Sequence, residues 1–122
     1  MRIGELSQRT GIAISRIRFY ERHAVLPKAE RCANGYREYP DAAVKTLNLI
    51  DAAQQLGFSL NEIRSALSES APHFPSRTAV IAALRDKLRA VDQHLREVRG
   101  RRQDIVKLLA EMEGSSASPS IG

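Results

Sequence analysis

Residues 3–23 read IGELSQRTGIAISRIRFYERH, and the reading of this run governs the rest of the chain. Ile3 and Leu6 stand three apart with polar residues between them, the spacing of one helical face. Gly11 follows, a residue suited to ending a helix. A second helical stretch begins at once, over residues 13–23. Ile14 and Ile17 form its apolar face, while Ser15, Arg16, Arg18 and Arg22 fall largely elsewhere. Two short helices joined at a glycine, the second loaded with arginine, describe a helix-turn-helix.

Scattered arginines on a helix are commonly no more than a solvated face, and the next segment argues against that here. After Pro27, residues 31–39 read RCANGYREY. Asn34-Gly35 predicts a two-residue hairpin turn with both residues at positive φ. Arg31, Tyr36, Arg37 and Tyr39 flank the tip. A helix of about ten residues can enter the ~12 Å major groove while a hairpin beside it lies against the backbone or minor groove. Arg16 or Arg18 is then placed for a bidentate contact to guanine, with the other on phosphate. Ser15, Tyr20 and Arg37 suit phosphate, which positions a protein without reading sequence. Arg31 and Arg37 would straddle the backbone; Tyr36 would pack the hairpin on the head, and Tyr39 would pack or donate its hydroxyl to phosphate. This is a winged helix-turn-helix.

Charge agrees. Of the formal net charge of +5, +4 lies in residues 1–40, where eight basic side chains face four acids. A basic N-terminal third favours nucleic acid as the partner ahead of a membrane. The single cysteine, Cys32, excludes a disulfide scaffold within the chain, and no signal peptide or membrane span is visible, so a cytoplasmic, nucleoid-associated location is expected. The sequence has no paired carboxylates in a pocket-like setting, no phosphate-cradling glycine loop and no nucleophile with a base, so an enzyme is not expected. The three histidines lack i, i+4 spacing. No metal site and no cofactor is expected.

Downstream, Pro40-Asp41 opens a third helix, with Asp41 expected to cap it or complement its dipole. Val44, Leu47, Ile50 and Ala53 carry its apolar stripe, which Leu49 widens through to Leu56. Ser59 with Glu62 predicts a capping box for a fourth helix bearing Leu60, Ile63 and Leu67. From Val80 to Met112 the pattern changes. Ile81, Leu84, Leu88, Val91, Leu95, Val98, Ile105, Leu109 and Met112 alternate three and four apart, with Arg102 the one interruption. This is a heptad seam, predicting a rod of roughly 48 Å that pairs with a second copy. Arg102 either meets Asp86 or Glu97 of that copy or lays its stem on the seam with its charge in water. The division expected is 1–70 head, 71–79 linker, 80–113 dimerisation helix and 114–122 disordered tail.

IGELSQRTG, IRFYERHAVLP, NGYREYP and LGFSLNEI, in this order and spacing, resemble the MerR family of bacterial transcription regulators. The resemblance runs almost continuously over residues 1–70. It implies a mainly α fold, with a winged helix-turn-helix head of four helices plus a small β-hairpin wing and an antiparallel coiled-coil dimerisation helix. It further implies a homodimer on a pseudo-palindromic promoter operator, acting with RNA polymerase by distorting the spacer DNA. It places Ser15, Arg16, Arg18 and Tyr20 toward double-stranded DNA and Arg31 and Arg37 on its backbone. Ala24 stands where the family usually has glycine, so that turn must manage without easy positive φ. Ala13 replaces a Ser or Thr cap, at ~1 kcal/mol. Metal-sensing members carry cysteines near the end of the dimer helix that this chain lacks, so metal or cluster sensing is disfavoured. A small-molecule inducer stays open. The alternative reading is a DNA-bending architectural or excisionase-like accessory protein.

Overall fold

The structure, a computed structural model, describes residues 1–27, 29–71 and 73–114. In chain order it holds α1 (Ile3–Thr10), α2 (Ile14–Arg22), β1 (Glu30–Arg31), β2 (Arg37–Glu38), α3 (Ala42–Gln55), α4 (Leu60–Ser70) and α5 (Arg77–Gly114). Four helices with a hairpin and then one long helix is the architecture read from the sequence. The chain divides into two compact units, one from Met1 to Val80 and one beginning at Ile81.

The first unit closes around Leu6, Ile17, Tyr20, Leu47 and Ile50, each fully shielded from solvent. Burying such side chains contributes about 1.5–3 kcal/mol apiece. Ile12, Val25, Leu26, Tyr39, Ala43 and Ile63 complete the cluster. The turn between α1 and α2 is knit by side chains: the Ser7 hydroxyl donates to the Ile12 carbonyl (2.6 Å) and the Thr10 hydroxyl to that of Leu6 (2.8 Å). Gly11 takes φ +72° and returns its N–H to Ser7 O at 2.8 Å, the left-handed C-cap expected there. Ala13 caps α2 in extended conformation with no side-chain bond. The capping box of α4 forms in full, Ser59 Oγ accepting from Glu62 N–H and Glu62 Oε1 from Ser59 N–H.

Local detail departs from expectation at several points. Ala24, far from avoiding the left-handed region, adopts φ +55°. The turn after α2 is over-determined: Val25 and Leu26 N–H both donate to the Tyr20 carbonyl, and both side chains are buried. An L-residue there is strained by about 1–2 kcal/mol. Ala24→Gly should therefore raise stability by about 0.5–1 kcal/mol once the added freedom of the unfolded chain is subtracted, read as a higher urea midpoint at unchanged slope. A lower midpoint would contradict the strain.

The hairpin is also not a two-residue turn. Glu30 pairs with Glu38 and Arg31 with Arg37, Cys32 N–H bonds to Tyr36 O, and Gly35 N–H closes onto Cys32 O at 2.9 Å. Gly35 alone is at positive φ, +84°. Asn34 accepts from Tyr36 N–H through Oδ1, so its side chain makes the turn by hydrogen bonding and leaves the left-handed position to glycine. Ala33-Asn34-Gly35 is a three-residue loop with a glycine bulge.

Asp41 sits at the head of α3 in helical conformation and makes no side-chain cap. Leu56 is exposed because α3 ends at Gln55 and the chain turns through Gly57 at φ +94°.

Helix α5, whose first residues belong to the first unit, spans 38 residues, about 57 Å. It begins at Arg77 rather than Val80 because Ser76 Oγ accepts from Ala79 N–H at 3.1 Å. None of its side chains is buried. Ile81, Leu84, Leu88, Val91, Leu95, Val98, Ile105, Leu109 and Met112 are all exposed. The tail expected to be disordered lies, after Gly114, outside the described residues.

Candidate nucleic-acid interface

The second turn of α2 faces the wing across an open cleft of about 720 Å³. Four guanidiniums line it, those of Arg2, Arg18, Arg22 and Arg37, against the single carboxylate of Glu21. Such a concentration of positive charge in a concave surface focuses potential on a polyanion.

Of the residues expected at DNA, the fold brings Arg18, Tyr36, Arg37 and Tyr39 into this cleft. Ser15, Arg16 and Arg31 are exposed on α2 and β1 but do not line it. Two cleft arginines were not anticipated. Arg22 lies four residues after Arg18 and so shares its helical face, a signal the spacing carries. Arg2 precedes α1 and has no periodicity to betray it; its Cζ stands 4.0 Å over the Tyr36 ring, a cation–π contact tying the wing tip to the start of α1.

Tyr20, expected at DNA, is instead buried in the core, and Tyr39, at the floor of the cleft, is buried too, the packing that was one of its two expected roles. Tyr20 follows Ile17 by three and thus belongs to the core face. Its hydroxyl donates to Gln54 Oε1 at 2.6 Å, binding α2 to α3, and burial raises its pKa. Tyr39 donates to Glu21 Oε1. Burial first, and the bond to Glu21 second, push its phenol up to about 12. Tyr36, expected to pack the hairpin on the head, is exposed and meets Arg2.

Glu21 is the anchor. On α2 it is 5% exposed, accepts from Tyr39 and holds Arg37 Nη1 at 3.4 Å. Both partners come from the wing segment, so one buried carboxylate fixes the wing to the second helix. Burying that charge is tolerable only because it is paired and hydrogen-bonded. The base of the wing is tied again where the Met1 ammonium donates to Glu38 Oε2 (3.0 Å) and Tyr39 O (2.7 Å). From α4, Arg64 Nε donates to the His23 carbonyl at 3.0 Å, placing a cation at the C-terminal end of α2. The C-terminal end of the second helix is thus held by both the wing and α4, while Ser15, Arg16, Arg18 and Arg22 are exposed along it.

Comparison with known proteins agrees with this arrangement. Residues 1–70 match the MerR HTH family regulatory proteins and residues 44–114 the family described as MerR, DNA binding. The chain is 32% identical over 120 residues to the HTH-type transcriptional regulator CueR of Yersinia pestis, covering 97% of this chain and 85% of that one. It is 46% identical over 66 residues to the mercuric resistance operon regulatory protein of Bacillus cereus, covering 54% of this chain and 50% of the relative. Among solved structures it superposes on the transcription regulator PbrR691 of Ralstonia metallidurans CH34, in complex with lead(II). The TM-score is 0.71 and the identity 26%, over 91% of this chain and 87% of that one. With an arginine-lined cleft between helix and wing, and matches to both of its family descriptions across the described chain, this protein belongs to the MerR family of DNA-binding transcription regulators.

Proposed function

We propose that the protein acts as a homodimer, joined through α5, that binds a pseudo-palindromic promoter operator and controls transcription by distorting the DNA between its half-sites. The observation that carries this is the apolar stripe of α5. It repeats at heptad spacing over a 38-residue helix with no buried side chain. A stripe of that length in water is unfavourable, and a second copy laid antiparallel along it buries it while setting two heads apart on one duplex. Ile81, Leu84, Leu88, Val91, Leu95, Val98, Ile105 and Leu109 are the dimer contacts in this reading. A DNA-binding regulator works where the chromosome is, in keeping with a cytoplasmic location.

At each half-site α2 enters the major groove with Ser15, Arg16 and Arg18 toward bases and phosphate, and the wing lays Arg31 and Arg37 on the backbone. Arg2 and Arg22 join them from the cleft. Gene control then follows from the cost of deforming the spacer, which brings promoter elements into the alignment RNA polymerase requires. PbrR691 was solved with lead(II); with Cys32 the one cysteine of this sequence, and exposed in the wing, thiolate metal sensing is not part of the proposal.

The experiment is to measure operator bend and twist with and without protein. A bent, undertwisted duplex together with a change in transcription from its promoter supports the reading. A straight duplex removes the mechanism, and bending that leaves transcription unchanged favours an architectural accessory role instead. Arg37→Ala should weaken binding to all sequences alike and lower the salt slope of log K by about one. A loss confined to one base position would contradict the backbone role.

A further inference from the structure

Two of the arginines proposed to face DNA are not free. Arg16 Nη1 lies 3.1 Å from Asp51 Oδ1, and Arg37 Nη1 lies 3.4 Å from Glu21 Oε2. Arg18 and Arg31, by contrast, make no ion pair among the described residues. In both pairs the contact runs through one terminal nitrogen, beside a tyrosine hydroxyl, and the arginine side chain is 47% exposed.

The Arg16 pair joins α2 to α3 beside the buried Tyr20. Asp51 stands on α3, its side chain 21% exposed, and Arg16 on α2 is 47% exposed. Asp51 Oδ2 is held in turn by Gln55 Nε2 at 3.2 Å, one helical turn along, and the Arg16 guanidinium passes 6.0 Å from the Tyr20 ring centroid. The contact of Oδ1 with Arg16 is charge against charge and not an aligned hydrogen bond, leaving that buried oxygen with no hydrogen-bond donor of its own among the described residues. A flexible arginine is therefore confined by an acid that is itself fixed. Arginine carries about 2 kcal/mol of rotamer entropy, and a group already confined loses less on meeting its target.

We infer that Asp51 is a positioning residue for DNA recognition, which acts through Arg16 by presenting its guanidinium to a base in the operator. This rests on the proposed placement of Arg16 at DNA. The carboxylate has opposite consequences for the two kinds of complex. On the operator, Arg16 stays with Asp51 and reads a base with its remaining donors, the bidentate geometry that guanine accepts. On arbitrary DNA, where phosphates alone attract, Asp51 repels the backbone and keeps Arg16 from adding a contact. One acid outside the recognition helix thus raises the ratio of specific to non-specific binding.

The test uses the full-length protein and a double-mutant cycle of Asp51→Asn and Arg16→Ala, with Kd for an operator duplex and for a scrambled duplex measured across a salt series. Asparagine retains an acceptor for Gln55 and removes the charge. Asp51→Asn is expected to weaken operator binding about fivefold and to tighten scrambled-duplex binding about twofold. In the Arg16→Ala background it should change the operator Kd by less than twofold. Matched thermal midpoints of wild type and Asp51→Asn separate positioning from loss of fold. If Arg16→Ala leaves the operator Kd unchanged, the placement of Arg16 at DNA is wrong and the inference goes with it. If Arg16→Ala weakens binding but Asp51→Asn shifts both duplexes equally, or acts undiminished without Arg16, the placement stands and the role of Asp51 is overturned.

Discussion

Leu95→Asp is expected to yield monomers in sedimentation and to abolish operator binding at concentrations where wild type saturates. Leu95 lies near the middle of the seam that runs from Ile81 to Met112, so in an antiparallel pair it sits close to its own counterpart. The substitution places two carboxylates near one another in what is otherwise an apolar contact, and an unpaired buried charge costs several kcal/mol. Leu95 is exposed in the single chain and no part of the head cluster. The first unit should keep its fold, which near-UV spectroscopy of the tyrosines would report. A monomeric head retains its arginines and binds DNA weakly, in a salt-dependent and sequence-indifferent way. What it loses is the tether that makes the second half-site contact intramolecular. An intact dimer would rule out the seam.

The second large effect belongs to Arg18→Ala. Arg18 lines the cleft, is exposed and makes no ion pair among the described residues, so its removal should leave the unfolding midpoint unchanged. Loss of operator affinity of about 1–3 kcal/mol, with relaxed preference at one base position, is the signature of a base contact. Arg37→Ala differs on both counts. It strips the counter-charge from buried Glu21, so stability falls with affinity, and its affinity loss is sequence-blind. An Arg18→Ala protein that binds as wild type would mean that α2 does not face the groove.

How far the sequence carried these conclusions varies with the kind of signal. Periodicity was decisive: Leu6, Ile17, Leu47 and Ile63 were all assigned to apolar faces by spacing, and all are buried. Ser59 with Glu62 announced a capping box because the motif is local and complete in four residues. Where the outcome turned on tertiary context, local reading fell short. Tyr20 and Tyr39 carry a polar tip that suits phosphate equally well, and only the packing of α3 and the burial of Glu21 decide that both tips point inward. Asn34-Gly35 correctly marked the turn, yet loop length is set by which residues pair, and the Arg31–Arg37 register with the Cys32–Tyr36 bond beyond it leaves a loop of three residues, not two. The resemblance marks Ala24 as standing where glycine is usual, and the two hydrogen bonds to Tyr20 O hold the turn in a conformation alanine would not choose. Arg2 escaped notice because its role depends on a contact with Tyr36, far along the chain.

The central claim, that two heads held by one rod engage a single duplex, is tested most directly by selecting bound duplexes from a random pool with the full-length protein. Inverted half-sites at one fixed separation, near a whole number of helical turns, are the expected outcome, and these should lie within promoters whose spacer is overlong. Enrichment of a solitary half-site, or of paired sites at no preferred separation, would contradict it.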